Sequence, residues 1–276
     1  DAISDGGQWG RSTRFAGVQL RSNFAVRPDL ITFPLPDASG SSAVPATVDI
    51  YVDQILRSRT VVPAGPFEFN NLPVTSGNGE VDMVIRDAYG DERHVRMDYF
   101  VSPRLLTPGL RAYEYSLGLQ REGYGNGSNY HDLLLVGTER RGINDGLTAE
   151  WHNELTSNQV RSGLGAIATA PGGGLIAVAV AGSASGEGSG WLGNANYEWR
   201  GDRLYGSTGV SYTTAGFDAA TPISERTPRR RLRAALGWTL PGGSALSLSY
   251  LRQDRADNQP FEFASIGYRF DIGRVG

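Results

Sequence analysis

The sequence has no cysteine, which excludes a disulfide framework, a thiolate metal site and a cysteine nucleophile. It has no lysine either: all 26 basic residues are arginines. No run of about 18 apolar residues occurs, so no helix is apolar enough to cross a membrane. The formal net charge of −3 gives no electrostatic reason to expect nucleic acid. Only three histidines occur, His94, His131 and His152. They lie in separate segments without metal-ligand spacing, so no metal is expected. No nucleophile-elbow motif is present, and no helix follows the glycine-rich Gly77-Asn78-Gly79 or Gly172-Gly173-Gly174. Both therefore read as hairpin turns rather than phosphate loops, and the chain reads as neither an enzyme nor a cofactor protein. Asp1 follows neither an initiator methionine nor a basic-then-apolar leader, so the chain reads as either a mature form or an excerpt, and the strand count below favours the excerpt.

What the sequence does have is glycine, 37 residues in 276, which breaks every long helical window. Aromatics make up 10% and recur at intervals, which excludes disorder. Alternation replaces helical spacing. Around 147–156, Leu147, Ala149, Trp151 and Leu155 share one face, and Thr148, Glu150, His152 and Glu154 the other. Trp191, Ala195, Tyr197 and Trp199 oppose Asn194, Asn196, Glu198 and Arg200 in the same way, as Leu232, Ala234, Leu236, Trp238 and Leu240 oppose Arg231, Arg233 and Thr239. Successive strand side chains point to opposite faces, so each segment has one apolar and one polar side.

About ten such segments follow residue 110, at 110–121, 130–140, 146–156, 159–170, 174–184, 190–200, 203–215, 229–240, 244–254 and 261–272. Turn signals separate them: Gly125-Asn126-Gly127, Asn144-Asp145-Gly146, Pro171-Gly172-Gly173, Gly201-Asp202, Pro241-Gly242-Gly243 and Asp257-Asn258. A similar long strand lies at 13–24. Residues 33–103 differ, with shorter strands at 44–53, 55–62, 66–70, 80–87 and 92–100 between Pro- and Gly-rich turns. That pattern reads as a small β-sandwich inserted into a connection of an antiparallel meander. The expected division is 1–32 (barrel strand), 33–103 (sandwich) and 104–276 (about ten barrel strands).

Soluble strands average about 5–6 residues, and these run twice that. A 10-residue strand tilted about 40° rises roughly 25 Å, the apolar height of an outer-membrane barrel. Tyr113, Trp151, Trp191, Trp199, Tyr212, Trp238, Tyr250 and Tyr268 fall near segment ends, as interfacial girdles do. Odd-numbered connections after 110–121 run longer than even ones, so the odd set is expected outside the cell and the sandwich on the periplasmic side. Charge on the polar face must then meet a watery lumen. A sandwich of this size has a radius of roughly 14 Å. A 12-strand barrel of backbone radius about 12 Å cannot hold it, whereas about 24 strands leave a lumen radius near 19 Å. Two other readings remain at this point: a self-contained plugged barrel that imports a small ligand, and a soluble adhesive sandwich.

The residues resemble the fimbrial outer-membrane ushers of the chaperone–usher pathway over essentially the whole chain. Asp1-Ala2-Ile3-Ser4, Trp9 and Arg14-Phe15-Ala16-Gly17-Val18-Gln19-Leu20 are similar to the barrel strand before the usher plug. Val44 to Val52, Val62 to Phe69, Asn71-Leu72-Pro73, Gly77 to Val81 and Arg86 to Gly90 follow the plug pattern. Leu105 to Leu110 is similar to the return into the barrel, and Arg141 to Thr148 to a barrel hairpin. One departure is Asp53-Gln54-Ile55, where the family commonly has a turn glycine; without it the tight type I′ turn is not expected.

The resemblance implies a 24-stranded outer-membrane pore, gated by its plug. Chaperone–subunit complexes would arrive from the periplasm, and pilus subunits would polymerise and leave through the lumen. Implied contacts are those complexes, the subunits in transit and outer-membrane lipid, with a homodimer also compatible. The plug charges Arg57, Arg59, Asp82, Arg86, Asp87, Asp91, Glu92, Arg93 and Arg96 are the candidates for the gate. Their expected partners line the pore: Glu114, Glu150, Glu154, Glu198, Arg200, Arg231 and Arg233, beside His152, Asn194 and Asn196. The dense run Arg226, Arg229-Arg230-Arg231 and Arg233 reads as a solvated loop entering a strand, or as a contact for lipopolysaccharide phosphates or the plug.

Overall fold

A computed structural model of the chain describes residues 1–122, 129–201, 203–218, 226–240, 243–255 and 260–270. It contains β1 (Ala2–Ile3) and β2 (Arg14–Arg21), then a 3-10 turn at Phe24–Val26 capped by the Asn23 side chain. Six strands follow: β3 (Ala38–Ser42), β4 (Ala46–Val52), β5 (Ile55–Val62), β6 (Gly65–Phe69), β7 (Gly77–Asp87) and β8 (Glu92–Val101). Ten long strands complete it: β9 (Arg111–Glu122), β10 (Asn129–Asn144), β11 (Leu147–Thr156), β12 (Gln159–Thr169), β13 (Leu175–Ser185), β14 (Gly188–Arg200), β15 (Leu204–Thr213), β16 (Arg230–Thr239), β17 (Ala245–Asp254) and β18 (Phe261–Arg269).

β1, β2 and the ten long strands form one 12-stranded antiparallel sheet in the order β1-β2-β9-β10 and so on to β18. The sheet is open, with β1 and β18 as its edges. β2 pairs directly with β9, Phe15 opposite Gln120 and Arg21 opposite Glu114. Everything between them is therefore inserted into what would otherwise be a single hairpin connection. The inserted body is a sandwich of a four-stranded sheet, β5-β4-β7-β8, and the two-stranded β3-β6. Its core is its own: Val48, Ile50, Val52, Val81, Met83, Ile85 and Val101 are buried together, with Phe67 and Phe69 packed against them from β6.

Burial in the long sheet is inverted relative to a soluble protein. On β11, His152 is 0% exposed, while Leu164 opposite Trp151 on the other face is 65% exposed. Apolar residues face out all along this wall, including Leu117, Leu135, Val178, Val180 and Val210. The polar positions turn inward. This is the arrangement that lets a closed β-wall sit in lipid with its backbone bonds satisfied and its charges in a wet interior.

Three local expectations are corrected. Gly77-Asn78-Gly79 is no turn but the start of β7, paired with Val101, Phe100 and Tyr99. Its glycine is needed because a side chain at Gly79 would collide with the Tyr99 ring. Asp53-Gln54 does make the tight turn without glycine, both residues lying in the left-handed region at φ 49° and 67°. Asp53 holds it there: its carboxylate accepts from Glu80 N at 3.1 Å and from the Tyr99 hydroxyl at 3.1 Å. β3 carries no alternating apolar signal in Ala38-Ser39-Gly40-Ser41-Ser42 and forms only by pairing with β6. The expected turns Gly125-Asn126-Gly127 and Asp257-Asn258, with Asp202, Pro241 and Gly242, lie outside the described residues.

The inserted body emerges at the end of the wall that carries connections 145–146, 170–174, 201–203 and 240–244. The opposite end carries 123–128, 157–158, 186–187, 214–229 and 255–260, including the longest. If the longest connections lie outside the cell, as in outer-membrane barrels, the inserted body is expected on the periplasmic side. A single cysteine introduced as E187C should react with a membrane-impermeant maleimide on intact cells, and one introduced as D145C only after the outer membrane is opened. The reverse pattern would invert the orientation.

Candidate functional site: the inner face of the wall

The register sends Glu114, Glu150, His152, Glu154, Asn194, Asn196, Glu198, Arg200, Arg231 and Arg233 to the inner face. Six of them are engaged by chain segments that enter from elsewhere. The connection between β1 and β2 folds inward and lies across β9 to β14. Asp5 N donates to Glu114 at 2.6 Å, Gln8 N to Glu150 at 2.7 Å, and Asn194 Nδ2 to the Gln8 carbonyl at 3.0 Å. Trp9 is buried against Ala179, Ala181, Leu192 and Phe217. The wall is cut to receive it: a Cβ at Gly163 would lie 2.6 Å from Trp9 Nε1, and one at Gly165 2.6 Å from Gln8 Nε2.

Phe217 belongs to a second inward segment, from the connection between β15 and β16. Its carbonyl accepts from Gln159 Nε2 at 2.8 Å and from the Ser183 hydroxyl at 2.5 Å. Beneath the two rings runs a buried polar chain. Thr138 meets His152 Nδ1 at 2.6 Å, and His152 Nε2 meets Glu154 at 2.9 Å. Arg161 then donates to Glu154 at 3.1 Å and to Asp218 at 2.8 Å. Trp9 stands edge-on to His152, centroids 4.8 Å apart, and to Phe217 at 6.3 Å. Both segments enter from the long-connection end, and the first reaches down to Glu114 and Glu150, each the fourth residue of its strand from the other end, so the lumen carries a tethered strap.

At the other end the sandwich meets the wall through few residues. Phe100 packs with Leu105 against Ile167, Leu175 and Ala177. Gly173, in the β12–β13 turn, leaves room for Asn78, and Gly77 faces the Arg200 stem. Just past the sandwich, Arg104 donates to Glu198 at 2.8 Å, and its carbonyl accepts from Arg140. A pocket of about 480 Å³ opens between Phe100, Glu198, Arg200 and Tyr205.

The plug charges pair among themselves. Arg59 forks onto Asp49 at 2.6 and 2.7 Å, and Arg86 reaches Glu92 at 2.5 Å. Asp82 takes His94 at 3.1 Å and Arg96 at 3.6 Å. Asp87 accepts from the amides of Tyr89 and Asp91, shaping the β7–β8 turn, and Arg93 donates to the Ser41 carbonyl. Arg57 lies on the exposed part of β5. None of the nine forms an ion pair with the wall among the described residues. The contact that does bridge the two bodies, Arg104 to Glu198, uses one expected pore residue and one the sequence reading left out. Trp9, Gly163, Gly165, Arg161 and Asp218 were also missed. The available signal was glycine at two inward positions of a strand where no turn requires it.

Sequence comparison places these features among known proteins. The profile of the outer membrane usher protein family matches residues 7–190. The outer membrane usher protein FimC of Bordetella pertussis is 24% identical over 294 residues, spanning 94% of this chain and 33% of that protein. YehB of Escherichia coli (strain K12), also an outer membrane usher protein, is 26% identical over 155 residues, 56% of this chain and 18% of its own. The chain thus spans a third or less of the length of these relatives. The P pilus usher (PapC) translocation pore superposes with a TM-score of 0.55 at 18% identity, over 95% of this chain and 56% of that one. A chain of the E. coli P pilus tip assembly intermediate PapC-PapD-PapK-PapG gives 0.69 at 17% identity, over 99% of this chain and 36% of that one.

Two outcomes follow. Trp9→Ala removes the strap's main anchor, at a cost of about 3–5 kcal/mol. Gly163→Val fills the recess instead. Either should raise amide exchange of residues 5–11 in the full-length protein by roughly a hundredfold or more, leaving β9–β14 protected. Within the sandwich, Arg59's hydrogen bonds hold the Asp49 carboxyl below the usual carboxylate range, with burial opposing. A depressed folded-state pKa stabilises above the unfolded value, about 3.9, and this is lost as pH falls through the folded one. Exchange protection of β4 should therefore be flat above about pH 5 and fall below about pH 4. Asp49→Asn should abolish that dependence.

Proposed function

This chain belongs to the outer membrane usher family, and on that premise we propose that it forms the plug-bearing part of a pore that secretes pilus subunits. In this reading the wall closes with further strands of a longer protein. Subunits arrive bound to a periplasmic chaperone, polymerise at the pore and leave outwards as a fibre. The observation that carries it is the insertion of a self-contained sandwich between two paired wall strands, β2 and β9, at one end of the wall, which this reading takes as the periplasmic one. A domain so placed is tethered at both ends and adds no strand to the wall, so it can block or clear the lumen without disturbing a ladder.

The sandwich carries five arginines against ten carboxylates, and the inner wall offers Arg140, Arg200, Arg231 and Arg233. At rest, plug charges that pair internally here exchange partners with these wall residues. In the arrangement described above, which this reading takes as the displaced one, Arg104–Glu198 pins the linker at the mouth. Its two side chains are 40% and 43% exposed, so the pair contributes only about 0–1 kcal/mol. Such a contact releases easily when a partner binds.

Conductance of the full-length protein in planar bilayers tests the reading. Deleting residues 33–103 should give a permanently open pore, and R104E or E198R should change the open fraction by up to about fivefold. The combined R104E and E198R swap should restore it. Unchanged closure after the deletion would rule out the gate, and pilus display on cells would report secretion independently.

A further inference from the structure

Charge on the outward face of the wall is unevenly placed. Across β11 to β15 the register leaves no charged side chain on that face. On β16 to β18 it places four there, Arg230, Arg252, Asp254 and Glu262. All four lie in the outer half of their strands, towards connections 214–229 and 255–260. Tyr212, Arg230 and Asp254 form one cross-strand row, and Leu232, Arg252 and Glu262 the next row inward. Arg230 and Arg252 are therefore diagonal neighbours on adjacent strands, with Cβ atoms roughly 7 Å apart.

Their surroundings are those of a headgroup layer. The Arg230 guanidinium lies 6.0 Å over the Tyr212 ring, and Tyr212 packs against Trp191 at 5.3 Å. Arg252 is half exposed and only 3.6 Å from Asp254. Glu262 accepts from the Tyr250 hydroxyl at 2.8 Å. Arg230 forms no ion pair among the described residues. An arginine facing hydrocarbon costs about 2–4 kcal/mol at the bilayer midplane but roughly 0–1 near the interface. An outward arginine at a strand end therefore belongs to the interface, where lipid phosphates lie.

We propose that Arg230 and Arg252 bind a phosphate of an anionic glycolipid of the outer leaflet. Trp191 and Tyr212 pack at sugar level, and the acyl chains run down the wall past Val210 and Leu232. The chemistry selects a lipid over a free anion. Two carboxylates balance the two guanidiniums, so the patch exerts little long-range pull on phosphate in water. Acyl contact supplies what charge alone does not, while Asp254 and Glu262 accept sugar hydroxyls.

The test is native mass spectrometry of the full-length protein in detergent, with bisphosphorylated lipid A as probe. The proposal rests on the orientation of the wall, which E187C labelling reports separately. Wild-type protein should retain lipid A, and R230Q combined with R252Q should retain about tenfold less, with heat-modifiable gel migration confirming a folded barrel. If that variant does not fold, R230Q alone should lose about threefold. Dephosphorylated lipid A should bind no better than the double variant binds the phosphorylated form, and millimolar inorganic phosphate should not displace it. Equal retention by the variants, equal binding of the dephosphorylated lipid, or displacement by phosphate would each overturn the proposal.

Discussion

The hydrogen-bonded ladder of the long strands is the constraint on which the rest depends. In lipid no water is present to satisfy a free amide or carbonyl, so each wall strand must pair along its whole length with both neighbours. That demand sets the strand lengths after the insert, from 9 residues in β18 to 16 in β10. It also fixes which side chains face inward. With the register set, Glu114, Glu150, His152 and Glu154 have no route to bulk lipid and become the anchors for whatever enters the lumen. The strap is a consequence: two loops that would otherwise be free outside the cell find backbone and side-chain acceptors on the inner face.

The sandwich obeys the opposite economy. It closes its own core, pairs its own charges and touches the wall through a handful of residues at one rim. Its attachment is covalent at both ends but energetically slight. A gate needs this imbalance, because a plug bonded to the wall as firmly as the strap would not move when a partner binds. The contrast is visible in exposure. Arg161, which ties the strap, is 14% exposed, whereas Arg104 at the plug junction is 40% exposed.

Much of this was legible in the sequence, for a physical reason. Alternation over ten residues is a strong, local signal, and the ten segments after residue 110 coincide with β9 to β18 to within a few residues. The inward placement of Glu150 and Arg233 follows from the same parity. What stayed hidden depends on distant contacts. Gly77-Asn78-Gly79 has turn composition, and only Tyr99 across the ladder explains its glycine. Asp53-Gln54 holds a glycine-like turn because Glu80 and Tyr99 secure the Asp53 carboxylate. The plug charges offered many equivalent pairings, and the geometry here selects neighbours on the same small sheet. Nothing local ties Trp9 to Gly163, some 150 positions later.

That last separation bears on how the barrel is built. Trp9 enters the membrane-bound chain early, yet its recess does not exist until β12, β13 and β14 have joined the sheet. The strap must therefore wait, and it docks only onto a wall assembled in register. A slip of one residue in β12 would turn Gly163 and Gly165 to the lipid and present Leu164 in their place, closing the recess. Strap docking thus acts as an inspection step, rewarding the correct wall with an anchored inner strap and leaving a misregistered one with a loose, protease-accessible loop.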